Sequence, residues 1–493
     1  MLKSNHAVLH QCCTDAAGAD GARPQLGSGL DTALIDRQLP RENEYMRSSL
    51  SRFAPCSSLL PLAAVLVTAL AGSMACGGAV EGPAEELEQS VQSLGSGQLP
   101  NNFPFLNSAG TAATFSSAGS VDLSNPFHEP QGTNGRSCET CHQPQAGWSV
   151  LPAEVELRFW LTQGQDPIFN LLDANSPTAN VATTLARYSA YSMLRKGLFR
   201  RGGNVPASAE YQITAVDDPL GAGGSLTRFE AFRRPLATAN FHIAMNVGWH
   251  DQNTNGSGDV HAGLVNQAVG NITGAQQGSP AAPETVESIA DYEEGLAFAQ
   301  QFVFGAGSLT ACGAEGGPEH LSAQAPVDAR FDLFDAWIGL VPGSCTTVAA
   351  DKKRAQIARG QELFNNANPG GGSCRGCHNA ANNGSNVSGR LFDVGASRAE
   401  FREPGMPLYT VRNKTTLEVK QTTDPGRALR SGLWSDMNRF KTPSMRGIAA
   451  RAPYFHNGIA GSLEEVVTHY EVALGFVFTP EQRADLVAFM KAL

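Results

Sequence analysis

The sequence is short of positive charge. Its 36 Lys and Arg face 46 Asp and Glu, a net charge of −10 over 493 residues. It carries no basic patch of the kind that tracks a phosphate backbone, so a nucleic-acid partner is excluded. It also lacks a comfortable membrane span, because the apolar run from Leu59 to Ala71 is too short for one. Histidine is sparse, and none occurs between His142 and His242. Once two pentapeptides are set aside, no second Cys or His pair stands near either of them to complete a zinc site.

Those pentapeptides are Cys138-Glu-Thr-Cys141-His142 and Cys374-Arg-Gly-Cys377-His378. Each arises by chance on the order of 10⁻⁵ per position at ordinary residue frequencies, so two together are not accidental. The spacing lets two thiols add to the vinyl groups of one haem while the adjacent imidazole ligates the iron. A zinc site or a Cys-x-x-Cys redox pair is the alternative reading of each. The haem reading makes Cys138, Cys141, Cys374 and Cys377 the anchors of two covalent haem c groups, with His142 and His378 as iron ligands.

The N-terminus agrees with export. Residues 1–45 are polar and irregular and read as an over-extended start. Met46 is a better one, followed by Arg47, Arg52 and the apolar run, the plan of an export signal over 46–76. The run ends at Ser73-Met74-Ala75-Cys76, an imperfect lipobox, so lipid attachment at Cys76 and simple periplasmic cleavage both stay open. Haem attachment outside the cytoplasm fits either. The leftover Cys312 and Cys345 most simply pair in an oxidising compartment, two buried thiols being the alternative.

Residues 77–102 read as a flexible tether, residues 103–345 as a first haem module and residues 351–493 as a second. In the second, Lys352–Phe364 is helical by pattern. Thr479-Pro480-Glu481-Gln482 supplies an N-cap, a proline at N1 and a capping-box Gln for a last helix. Leu486, Val487, Phe489, Met490 and Leu493 then recur at helical spacing. An internal repeat follows both motifs: an Arg/Lys-x-Pro segment around Pro235 or Pro443, an aromatic turn, then a helix from Leu264 or Leu463. The expected fold is therefore mainly α. It would consist of two cytochrome c-like haem modules facing each other, with irregular loops and an insertion (about 151–227) in the first.

The segment Phe440-Lys-Thr-Pro-Ser-Met-Arg, then Ala452-Pro-Tyr-Phe-His456-Asn-Gly458, resembles the bacterial di-haem cytochrome c peroxidase superfamily. That superfamily includes the di-haem enzyme that matures tryptophylquinone and, more distantly, the di-haem rubber oxygenases. The resemblance implies two unequal haems, a relay at the C-terminal one and peroxide or dioxygen chemistry at the N-terminal one. It implies an intervening tryptophan, which Trp249 matches in the turn Trp249-His250-Asp251-Gln252. Three departures stand out. No histidine follows the first motif closely enough to cap its iron, so that haem is expected to be open. The pocket helix reads Asn266-Gln267-Ala268-Val269-Gly270-Asn271-Ile272, with Gln276 and Gln277 where the family's catalytic Glu belongs. An amide cannot shuttle a proton as a carboxylate does. Finally, Arg451-Ala452-Pro453 replaces a calcium-binding Thr-x-Pro, which disfavours calcium.

The leading expectation is a periplasmic or lipid-anchored peroxidase-type oxidoreductase. A small electron-donor protein or other donor would supply electrons, H₂O₂ or O₂ would accept them, and a homodimer is what the peroxidases imply. Gln267, Gln277 and Trp249 are its candidate catalytic residues. An O₂-binding oxygenase and a non-catalytic electron carrier remain as alternatives. For the sixth ligand of the His378 haem, the helix from Ser462 offers Tyr470, on the apolar face with Leu463, Val466 and Val467. His469 lies about 100° away on that helix, and Met437 and Met445 are weaker contenders.

Overall fold

The computed structural model of the protein describes residues 97–366 and 372–493. The expected over-extended start, the export segment with Cys76, and the tether as far as residue 96 lie outside the described residues.

The expectation of a mainly α chain is corrected. Among the described residues, nine α-helices stand beside thirteen strands in five sheets, with about one third of the chain helical and 17% in strands. Long-range pairing made most of these strands. Gly110–Ser116 and Leu296–Val303 run antiparallel at the centre of a four-stranded sheet. The stretch read as an insertion supplies Phe199–Asn204, which pairs with Arg228–Arg233. It also supplies Tyr211–Asp217, which pairs with Leu408–Asn413 nearly two hundred residues later. Val419–Thr422 completes that three-stranded sheet. The residues are suited to it: Tyr409 and Val411 are buried while Arg412 is exposed, the period-two pattern of a half-buried strand. Tyr211, Ile213, Phe229, Tyr409 and Val411 form one core beneath the sheet.

The helices follow their local signals. Val348–Asn365 starts at Thr347, whose side chain accepts from the Ala350 N–H. Pro480–Met490 begins with the full capping box of Thr479 and Gln482. These two helices cross closely at Gly360, where a Cβ would collide with the Asp485 carbonyl. Their crossing organises a core of Phe331, Phe334, Trp337, Phe364 and Phe489. A second core gathers Phe127, Trp148, Ile272, Ile289 and Phe298. Cys138 belongs to the second core and Cys374 packs against the first. Cys312 and Cys345 are disulfide-bonded with Cα atoms 6.1 Å apart. Asp351 accepts from the backbone of Gly343, Cys345 and Thr346 and so ties that bridge to the helix.

Candidate active site

The two pentapeptides fold alike. In each, the histidine N–H donates to the carbonyl of the first cysteine, His142 to Cys138 at 3.1 Å and His378 to Cys374 at 3.0 Å. In each, the second cysteine does the same at 3.2 Å. One turn thereby collects two sulfurs and an imidazole within five residues, which is the donor set a c-type haem requires.

The imidazoles are held alike too. His142 Nδ1 lies 3.1 Å from the Trp148 carbonyl and His378 Nδ1 lies 2.6 Å from the Gly384 carbonyl. Both carbonyls come from the residue six positions downstream. Both residues have left-handed backbones, φ 59° at Trp148 and φ 80° at Gly384. Glycine takes that conformation freely, whereas Trp148 is held there by complete burial and by its indole bond to Thr114 Oγ1 at 3.0 Å. A carbonyl can only accept, so Nδ1 carries the proton and Nε2 keeps its lone pair for a metal. Burial holds both imidazoles down at about 4, hence neutral at physiological pH. Cys138, Cys141 and Cys377 are free thiols, and burial raises the pKa of each. These donors fit covalent haem. Sequence reasoning passed over Trp148 and Gly384; the signal was the shared six-residue offset.

Around the first motif, the structure places the candidate glutamines differently. Gln267 is half-buried, and its side-chain amide has no hydrogen-bond partner among the described residues. Gln277 is exposed, with Oε1 accepting from Asn134 at 3.3 Å. Its neighbour Gln276 is wholly buried. The Gln276 Nε2 lies 3.0 Å from Asn271 Oδ1 and 3.8 Å from the Cys138 sulfur. The three histidines that follow are committed elsewhere. His242 contacts the Leu321 carbonyl, His250 accepts from Arg233, and His261 lies between Glu287 and Glu294.

Trp249 is fixed from two sides. Its indole N–H donates to the Arg234 carbonyl at 2.7 Å, and its own carbonyl accepts from the Lys441 N–H at 2.8 Å. Its ring meets His456 edge-on at 6.1 Å, and His456 stacks on Phe440 at 3.8 Å. Beneath them Arg233 grips Asp424 through two bonds of 2.6 and 2.7 Å. Arg233 holds the Asp424 carboxyl at about 2, although burial alone would raise it. Burial also keeps His250 and His456 neutral, near 3 and 4.

At the second motif, the helix Leu463–Leu474 starts at Ser462, which accepts from the Glu465 N–H. The Glu465 carboxylate accepts from the Gly461 N–H. Tyr470 projects within electrostatic reach of Cys377 and Cys374, beside Phe455 and Phe476. His469 lies between Phe401 and Phe455, with Nε2 2.8 Å from the Val394 carbonyl. Met437 and Met445 are buried in cores.

No protein-family profile matches the chain. It is 32% identical to the cytochrome-c peroxidase IdrP2 of Denitromonas iodatirespirans over 186 residues, 35% of this chain and 45% of that protein. It is 42% identical to the methylamine utilization protein MauG of Methylorubrum extorquens over 65 residues, 11% of this chain and 18% of that one. It is 38% identical to the cytochrome c551 peroxidase of Nitrosomonas europaea over 76 residues, 15% of this chain and 23% of that protein. The matches thus span less than half the length of these relatives. A crystal structure of a MauG-like protein associated with microbial copper homeostasis superposes with a TM-score of 0.31 at 16% identity, covering 53% of this chain and 73% of that one. A score so low carries no argument. The sequence relatives confirm the resemblance to the bacterial di-haem cytochrome c peroxidase superfamily.

Proposed function

We propose that the protein is an exported di-haem c-type cytochrome of peroxidase type, reducing H₂O₂ to water with two electrons from a small donor protein. The observation that carries this is the duplicated turn, in which each motif histidine is fixed by the carbonyl six residues on. Cys138 and Cys141 would anchor one haem with His142 as ligand, and Cys374 and Cys377 the other with His378. Haem supplies the one-electron redox chemistry when bound.

The remaining roles belong to the chain. The Trp148 and Gly384 carbonyls hold the imidazole tautomers and raise the basicity of Nε2. Trp249, pinned at both its indole and its carbonyl, is the aromatic relay between the two sites. Gln276 presents an amide N–H donor beside the first motif, Gln267 on the preceding helix is the second candidate, and no strong ligand caps that motif among the described residues, so that iron is the open one. Tyr470 is the sixth-ligand candidate at the second motif, since His469 is already hydrogen-bonded to Val394. A module boundary near 345–351, cleavage or lipidation near Cys76, and a homodimer complete the reading. The amide at Gln276 favours a second reading, an oxygenase that binds O₂ at the same open site.

The test is rapid mixing of the reduced holoprotein with H₂O₂ and, separately, with O₂. Peroxide consumption coupled to oxidation of a reduced cytochrome c is expected. Oxidation by O₂ with incorporation into an organic substrate would favour the oxygenase, and inertness to both would leave an electron carrier.

A further inference from the structure

A small cavity lies between the two histidine sites. Leu236 lines one wall and its backbone neighbours the His142 ring. Asn383 and Ser385 line another, and they flank Gly384, whose carbonyl holds His378. The space holds little more than one water molecule, too little for an organic substrate but enough for one carboxylate oxygen pair.

Two cations line it, Lys441 and Arg451. Lys441 is 8% exposed and uses one of its three N–H groups, donating to the Asn246 carbonyl at 2.7 Å. Arg451 donates only from Nη2, to the Ser444 and Arg446 carbonyls at 3.0 and 2.7 Å. Its Nε and Nη1 have no partner among the described residues. Among the described residues neither cation has an acidic partner within ion-pair distance. The carboxylate whose charge reaches Lys441 is Asp251, which is committed to Arg427 at 3.5 Å and to Thr254. Tyr454 is the titratable group facing Arg451, and its hydroxyl contacts the Ile448 carbonyl. Arg446 nearby shows the contrast, since its guanidinium is satisfied by three carbonyls, those of Leu493, Asn382 and Gly317.

An unpaired charge taken out of water costs several kcal/mol unless a counter-charge arrives. Burial accordingly pushes Lys441 down to about 8 and Arg451 to about 10. The other polar lining groups cannot serve as that counter-charge. Asn383 and Ser444 bond each other, and Ser385 is bonded to Ile243 and Asn383.

We propose that Lys441 and Arg451 form a carboxylate site between the two motifs and that its carboxylate is a haem propionate. The proposal rests on the di-haem reading. A small free carboxylate offers the same chemistry, and the experiment separates the two. Holoprotein is first weighed for two covalent haems, which tests the di-haem reading by itself. Reduction potentials are then measured by spectroelectrochemistry for the wild type, Lys441→Met, Lys441→Arg, Arg451→Met and Arg451→Lys, each with and without acetate.

Removing a cation leaves the propionate charge uncompensated and favours ferric iron. Both Met variants should therefore lower the potential of one haem, both charge-retaining variants should hold it, and acetate should move nothing in the wild type. The Met variants also lose the hydrogen bonds to the Asn246, Ser444 and Arg446 carbonyls, and the charge-retaining pair controls for that. A wild-type potential that shifts saturably with acetate, with the response lost in the Met variants, would overturn the propionate as the occupant. Potentials unmoved in both Met variants, with no acetate response, would overturn the site.

Discussion

At the residue scale the protein works by assigning protons. His142 and His378 each give Nδ1–H to a carbonyl, so each presents a lone pair, and burial keeps both neutral. On the di-haem reading, His142→Ala and His378→Ala should each change one haem's visible spectrum while mass spectrometry still finds two attached haems, because thioether bonds do not depend on the iron ligand. Tyr470 and His469 divide along the same line. The His469 ring is already bonded to Val394, whereas Tyr470 faces the thiols of the second motif. Electron paramagnetic resonance should show a low-spin signal converting to high-spin in Tyr470→Phe and persisting in His469→Ala. The reverse result would make the helix present its other face.

At the scale of elements, close approach and long-range pairing decide. The helices Val348–Asn365 and Pro480–Met490 meet at Gly360, and any side chain there must push the Asp485 backbone away. Gly360→Ala should cost about 1–3 kcal/mol in denaturant unfolding, the range for overpacking a tight site. The strand Leu408–Asn413 is tied to the neighbouring strand Arg228–Arg233 by the Tyr409 hydroxyl, which accepts from the Glu230 N–H at 2.6 Å and donates to its carbonyl at 2.9 Å. Tyr409→Phe leaves both backbone groups without that buried partner and should cost about 1–3 kcal/mol.

Across the whole molecule, stability should be acid-sensitive. Folded His250 and His456 bind a proton near pH 3 and 4, whereas unfolded histidine binds one near 6.5. The unfolded state therefore takes up more protons below pH 6.5, and stability falls as pH drops from there toward 4. Asp424 acts in the same direction lower down: its folded value near 2 lies below the ordinary 3.8, so its contribution is lost as pH falls from about 3.8 to 2. Denaturation midpoints measured from pH 8 to 4 should decline, by on the order of 3 kcal/mol for each histidine, and His456→Gln should flatten the curve. A midpoint that stays level over this range would contradict the neutral burial of both rings.

What the sequence determined by itself is what local spacing can determine. Cys138–His142 and Cys374–His378 need only five residues to form their turns. Thr479–Gln482 needs four for its capping box, and Lys352–Phe364 shows its helical period in its own residues, within the observed helix Val348–Asn365. The cysteine count left Cys312 and Cys345 as a pair, either bridged or as two buried thiols, and the structure shows the bridge. The strands were not legible as such, because Tyr211–Asp217 becomes a strand by hydrogen bonding to residues 408–413, and no local window contains both partners. The burial of Gln276 against Cys138, with Gln277 left at the surface, was likewise invisible, since a turn of one residue decides which amide points inward. The same holds for Lys441 and Arg451, two ordinary cations in the sequence. Only the tertiary fold brings them to one cavity and withholds an acidic partner, because charge pairing is a property of space and not of sequence distance.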